Sequence, residues 1–485
     1  MTTESRVVGP SALLMVSTGA ERLSGLIAAA LIGRVLGSRA LGEYSLVLAL
    51  WNVFGVAAYF GQAKMVARDV ARWPDLAGRA LGTASLLALL ASAGAGALMF
   101  ATAVLLGYPN VVVLGTIVAA TSFLWADSQC SAVEAMLISL NRTHVVAGVN
   151  LVASAARGFA SFAVLVWRID IVAMLAIVGI TQIGTAIALH VAARRLLHGK
   201  PLVWDRQFAG QYSRGAIVFT LMGLAGIAFK RFDTLLLEAM QGAVALGIYS
   251  AAYRISQVGA TLIPPIFRAS APQFSLARQI SPGTAATLTH ARLMGLGFLT
   301  ALLTAGLVLI GPRALPLIFG TAFSESVAPF ILLSLATLPL TVNGLFTIIA
   351  IATDLERAVL RINIINGLAS LALNLALIPL LGATGSAIAL VVSAFLGVLQ
   401  GGELLRRNGM LIAANGMAAV VPAILWVAMA TAAAIAIEFA RADLLVTLGA
   451  TTLVVSGIMW SYRAIAGPGI RSVAETIAVP FRGRR

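Results

Sequence analysis

The residues equipped for chemistry are charged side chains set in otherwise apolar sequence. Glu21 and Arg22, Arg157, Lys230 with Arg231 and Asp233, and Arg254 each interrupt a stretch long and apolar enough to cross a bilayer. A cation facing lipid at mid-bilayer would cost roughly 2.5–3.5 kcal/mol on the insertion scale. These side chains are therefore expected to face a cavity or partners. Against the cations Arg22, Arg157, Lys230, Arg231 and Arg254 stand only two central acids, Glu21 and Asp233; Asp127 and Glu134 lie nearer the cytoplasmic half of their span. An excess of positive charge in a low dielectric attracts an anion, and the guanidinium fork suits the oxygens of a phosphate or pyrophosphate. Lys230 and Asp233 are three residues apart and placed to pair. Glu21 and Asp233 are also the candidate acids for ion coupling.

Polar neighbours recur at helical spacing beside these charges. Ser250, Arg254, Gln257 and Thr261 form one stripe, Asn150, Ser154, Arg157 and Ser161 a second, and Ser45, Asn52, Gly55, Tyr59 and Gln62 a third. Asn52, Tyr59, Gln62, Asn150 and Gln257 are thus the expected polar face of a cavity. Nothing points to an enzyme. His144, His190, His198 and His290 form no HExxH, and Cys130 stands alone, so neither a metal site nor a redox motif is expected. With no phosphate-binding glycine loop, no bound cofactor is expected. Energy for transport would then come from a proton or sodium gradient, or from consumption of the product.

The elements that must position these residues are membrane helices. Of 485 residues, 60% are hydrophobic and 11% charged, with mean hydropathy +0.97, far more apolar surface than one soluble core buries. The expected fold is all-α and polytopic, with fourteen spans at 11–32, 43–62, 80–105, 111–138, 143–166, 171–192, 216–237, 244–267, 290–310, 327–351, 358–379, 384–404, 418–436 and 443–462. The opening residues lack a basic segment and a cleavage site, so the first span reads as uncleaved.

The net charge of +15 is explained by topology rather than by nucleic acid. Cytoplasmic connections hold Lys and Arg in excess. One side carries Lys64, Arg68, Arg72 and Arg79 after span two and Arg194, Arg195, Lys200, Arg206 and Arg214 after span six. The other carries only Arg34, Arg39, Arg168, Arg313 and Arg441. Both termini are accordingly expected in the cytoplasm, with no room for an extracytoplasmic domain.

An internal repeat organises the spans. ALGEYS at 40–45 follows span one and ALGIYS at 245–250 follows span seven. VNLVASAARGFASF from Val149 and INIINGLASLALNL from Ile362 fall in spans five and eleven, with Asn150 opposite Asn363. Two parallel six-span blocks follow: an N-terminal lobe at 1–192, a cytoplasmic linker at 193–215, a C-terminal lobe at 216–405, and two further spans with a basic tail at 406–485.

GRVLGSRALGEYSLVLAL from Gly33, MVARDVAR from Met65, KRFDTLLLEAMQGAVALGIYSAAYRISQ from Lys230 and LLGATGSAIALVVS from Leu380 together resemble the polysaccharide transporter family. These are the Wzx-type O-antigen and exopolysaccharide flippases of the multidrug/oligosaccharidyl-lipid/polysaccharide (MOP) exporter superfamily. The resemblance covers residues 11 to about 405 and implies a V-shaped pair of six-helix lobes working by alternating access. It implies a saccharide carried on undecaprenyl pyrophosphate, moved from the cytoplasmic to the periplasmic leaflet of the bacterial inner membrane. It also implies cationic cavity residues, which map onto Arg22, Lys230, Arg231 and Arg254. Lipid-linked oligosaccharide, the bilayer and polysaccharide polymerase machinery are the implied partners. Many relatives have twelve spans, and fourteen is the number in the related lipid II flippases, which makes lipid II an alternative substrate. A cation-coupled multidrug antiporter of the same superfamily is a second alternative; it would favour acidic, aromatic-rich lobes.

Overall fold

The computed structural model describes residues 3–59, 61–197, 203–260, 271–411, 413–439 and 444–465. Among them there is helix and no strand. In chain order the helices are α1 Thr3–Tyr59, α2 Gln62–Arg72, α3 Ala77–Leu105, α4 Asn110–Val118, α5 Trp125–Ser139, α6 Thr143–Ser161, α7 Ala163–Trp167, α8 Ile171–Leu196 and α9 Arg206–Ala260. There follow α10 Ala271–Ile280, α11 Pro282–Phe319, α12 Val327–Leu335, α13 Thr337–Ala352, α14 Glu356–Arg407, α15 Ala413–Phe439 and α16 Leu444–Ile465.

The fourteen expected spans map onto these helices in order. Three helices each hold two spans because the chain breaks at a glycine inside them: α1 at Gly37, α9 at Gly242 and α14 at Gly382. All three have positive φ, which a side chain resists. α4 and α5 form one span, joined by a π-helical turn at Ala119–Leu124. α6 with α7, and α12 with α13, likewise form one span each. The chain is an all-helical, multi-pass membrane protein. Leu90, Leu98, Phe159 and Leu399 on its spans are more than half exposed; hydrocarbon is the solvent that suits such a surface. Trp167 and Trp460, each 74% exposed near span ends, suit the interfacial aromatic belt.

The chain forms two compact units, Met1–Gly247 and Ile248–Arg485. The boundary falls within α9 rather than in the expected connection at 193–215, because α9 up to Gly247 packs on the turn after Gly37 of α1. Each unit contains a short helix that lies outside the spans. In the first, Met65, Val66 and Val70 of α2 join Leu81 of α3, Met136 of α5, Leu189 of α8 and Tyr212 in one core. In the second, Phe274 and Ala277 of α10 join Leu293 of α11, Leu345 and Ile349 of α13 and Leu405 of α14. The last two spans, α15 and α16, also pack on α11. They are stitched to each other by the Trp426 Nε1, which donates to Ser461 Oγ at 3.1 Å.

Candidate functional site

The first unit holds a partly buried polar network built from α1, α5, α6 and α8. Its centre is Asp127, two residues beyond the π-helical turn at Ala119–Leu124. A π turn puts an extra residue into the helix and rotates everything after it, which is one way a membrane helix turns a polar side chain inward. Gly179 on α8 makes room for the turn, since a Cβ there would overlap Ser122.

Two neutral donors hold the Asp127 carboxyl. The Tyr59 hydroxyl, at the end of α1, donates to Oδ2, and Gln182 Nε2 on α8 donates to Oδ1 at 3.0 Å. Glu134 lies two helical turns further along α5 on the same face, and Asn150 Nδ2 on α6 donates to its Oε1 at 2.8 Å. Arg157 stands two turns beyond Asn150, so the acid pair on α5 meets an amide and a guanidinium on α6 at matching spacing. Arg157 and Glu21 lie within electrostatic reach of Asp127, and Glu21 within reach of Glu134. Neither Asp127 nor Glu134 forms an ion pair among the described residues. The Nε of Arg157 is buried and has no hydrogen-bond partner among them. Ser154, 2% exposed between Asn150 and Arg157, leaves its Oγ unsatisfied in the same way. α1 and α6 approach closely enough for this through small residues: a Cβ at Gly158 would touch the Ser24 Cβ at 3.7 Å.

The residues expected from sequence divide into those inside this network and those elsewhere. Tyr59, Asn150 and Arg157 are in it. Glu21 and Arg22 are exposed on α1 at its edge. Asn52 turns back on its own helix, donating to the Leu48 carbonyl at 2.6 Å. Gln62 is 2% exposed, and its amide is taken up by α3, donating to the Ala84 carbonyl and accepting from the Ala88 amide at 3.0 Å. Asp233 on α9 is half-buried and accepts from the Thr234 amide at 2.7 Å. Arg254 and Gln257 are half-buried on the part of α9 that belongs to the second unit. Lys230 and Arg231 lie outside the residues whose side chains are described.

Sequence reasoning undervalued Asp127 and Glu134 and missed Gln182. The seven-residue interval between the acids was a readable signal. Gln182 carried none, because one amide in the apolar run IVGITQIGTAI makes no periodic pattern. Among the described residues no group of three or more His, Cys, Asp or Glu side chains is arranged to hold a metal ion.

The same architecture occurs in solved structures at low identity. The lipid II flippase MurJ, in an inward closed conformation, matches with TM-score 0.69 and 13% identity over 93% of this chain and 99% of that one. A multidrug resistance MATE family transporter of the MOP superfamily, inward-facing, matches with TM-score 0.64 and 13% identity over 80% and 94%. A MOP superfamily transporter from Pyrococcus furiosus Vc1 (DSM3638), described as having a binding pocket of reverse polarity, matches with TM-score 0.57 and 13% identity over 84% and 98%. No curated protein sequence matches the chain. The model of the polysaccharide biosynthesis protein family matches residues 10–277. By that match, which covers more than half of its length, the chain belongs to the polysaccharide biosynthesis protein family, and it shares its fold with these solved transporters.

Proposed function

We propose that this protein moves an oligosaccharide linked to undecaprenyl pyrophosphate from the cytoplasmic to the periplasmic leaflet of a bacterial inner membrane, by alternating access. The observation that carries the reading is Arg157, a guanidinium within a membrane span whose buried Nε has no hydrogen-bond partner among the described residues. Leaving such a donor unsatisfied is costly unless a ligand completes it, and a diphosphate offers acceptors of the right charge and geometry. The sequence carries further cations in other spans, Arg22, Lys230, Arg231 and Arg254. A multidrug antiporter for organic cations would be poorly served by that excess.

Asp127 and Glu134 fit a coupling role better than Glu21 or Asp233. Each is half-buried and held by neutral donors, so a proton on either carboxyl trades against the charge brought by the substrate, and Arg157 lies within electrostatic reach of Asp127. A proton gradient is therefore the favoured energy source. A polysaccharide polymerase acting at the periplasmic face would consume the product.

The test is export of glycan from cells carrying the Arg157→Gln variant. A charge-assisted hydrogen bond contributes ~1.5–3 kcal/mol, so export is expected to fall about ten- to a hundredfold with the protein still inserted at normal abundance. Full export from this variant and also from the Lys230→Gln/Arg231→Gln pair would overturn the reading. A second reading, lipid II as the substrate, rests on the structural match to MurJ extending over 93% of this chain, and so over more than the twelve-span core. Rescue of cells depleted of their own lipid II flippase would favour it.

A further inference from the structure

Each unit carries one short helix outside the spans, α2 after span two and α10 after span eight, six spans apart in the repeat. Both bury one face in their own core, but their outward faces differ. On α2, Lys64, Arg68 and Arg72 are exposed at intervals of four residues, a single basic stripe about 12 Å long at the helical rise. On α10 the exposed positions are Gln273, Leu276, Gln279 and Ile280. Its cation, Arg278, is turned to Met410, donating from Nη1 to Sδ at 3.5 Å. A connection on the basic side of the membrane therefore does not by itself demand a basic stripe.

Short tethers hold α2 at the bilayer surface. It starts at Gln62, directly after the left-handed turn at Gly61 (φ 60°), and Ala77 opens α3 soon after Arg72. Ser139 Oγ at the end of α5 donates to the Ala67 carbonyl at 3.2 Å, which brings Arg142, exposed three residues on, to the same end of the unit. Asp69, its side chain only 13% exposed, takes up Arg68 Nε at 2.7 Å; Asp75 is exposed between α2 and α3. Two tryptophans stand with these charges. Trp73, 64% exposed, follows Arg72 directly. Trp204, 44% exposed, precedes Asp205, whose amide donates to Thr83 Oγ1 of α3 at 3.0 Å and whose Oδ2 lies 3.9 Å from Arg79 Nη1.

At the level of the headgroups an indole ring meets the apolar boundary while its N–H stays wet, and cations beside it meet lipid phosphates. The tethers at both ends of α2 keep the stripe against the leaflet, where a soluble partner has poor access. We propose that the α2 stripe, with Trp73 at its end, is a docking surface for the headgroups of anionic phospholipids in the leaflet it borders. The assignment does not rest on the cargo. To test it, a bimane is attached at Ala71→Cys, an exposed position between Arg68 and Arg72, in a Cys130→Ala background that removes the sole cysteine. The protein is reconstituted into phosphatidylcholine vesicles in which a minor fraction of lipid carries a nitroxide high on its acyl chain. The nitroxide is on phosphatidylglycerol in one preparation and on phosphatidylcholine in the other.

Each Lys or Arg near the surface strengthens attraction to anionic lipid about fivefold, so quenching is expected to report phosphatidylglycerol enriched over phosphatidylcholine by at least about that factor. The preference is expected to vanish in Lys64→Gln/Arg68→Gln/Arg72→Gln and at high salt. It is expected to persist in the charge-keeping Lys64→Arg/Arg68→Lys/Arg72→Lys, and when three exposed cations of the second unit are removed, Arg361→Gln/Arg406→Gln/Arg407→Gln. Equal quenching by the two lipids in the parent, or a preference unchanged by the first triple variant, would overturn the proposal. So would a bimane that aqueous iodide quenches and neither lipid reaches, which would give the stripe to a soluble partner. Loss of the preference on adding one undecaprenyl pyrophosphate per protein would make the stripe an entry point for cargo rather than a phospholipid dock, and would overturn it too.

Discussion

Asp127 and Glu134 are carboxyls that a membrane interior tolerates only with help, and the help comes from a phenol and two amides rather than from a paired cation. Such donors satisfy lone pairs without fixing the charge, so the proton remains exchangeable. Asp127→Asn keeps the size of the side chain and removes its ability to ionise. It is expected to insert normally and to export glycan at a rate that no longer responds when the proton gradient is collapsed, with the rate itself down by about tenfold or more; an Asp127→Asn protein that still slows on addition of a protonophore would place the coupling elsewhere. The residue scale is also where sequence reading ran out. Asn150 and Arg157 were visible as members of one helical stripe, and Tyr59 as the member of another. The depth of Asp127 was hidden by the π turn before it, which rotates the helix by about 100° relative to a regular count. Asn52 and Gln62 each bond a backbone group, and spacing alone does not tell such a residue from one that lines a cavity.

At the scale of the element, what the spans share is close approach through small side chains and a few deliberate irregularities. Helix positions were legible because apolar length and glycine punctuation set them: Gly37, Gly242 and Gly382 each end one span and start the next. The irregular turn at Ala119–Leu124 was not legible, because no proline or glycine marks it and its cause is tertiary. It fits against α8 only where Gly179 leaves space for Ser122. Gly179→Ala is therefore expected to lower thermal stability in detergent by about 1–3 kcal/mol, the usual cost of overpacking, and to lower export with it. Ser122→Ala removes the hydroxyl that the new methyl would strike, so the double variant is expected to regain part of both. A Gly179→Ala protein with unchanged melting would mean that the turn adjusts freely and does not fix the position of Asp127.

Across the whole molecule, the strongest constraint is the alternation of basic and non-basic connections, which assigns every loop to one side. The helices of the described residues accommodate the fourteen expected spans in order, so the expected alternation needs no span added or removed. The last two spans follow the same rule in sequence: Arg406 and Arg407 precede α15, and the connection between α15 and α16 carries the single cation Arg441. Insertion responds to such differences in Lys and Arg within a few residues of a span. Reporter domains fused after residue 411, after residue 441 and after residue 485 are accordingly expected to read cytoplasm, periplasm and cytoplasm, with a fluorescent protein bright in the first and third and a secreted phosphatase active only in the second. A terminus read in the periplasm would require an odd number of crossings. The direction of transport would then have to be reassigned, although the polar network around Asp127 would be unaffected.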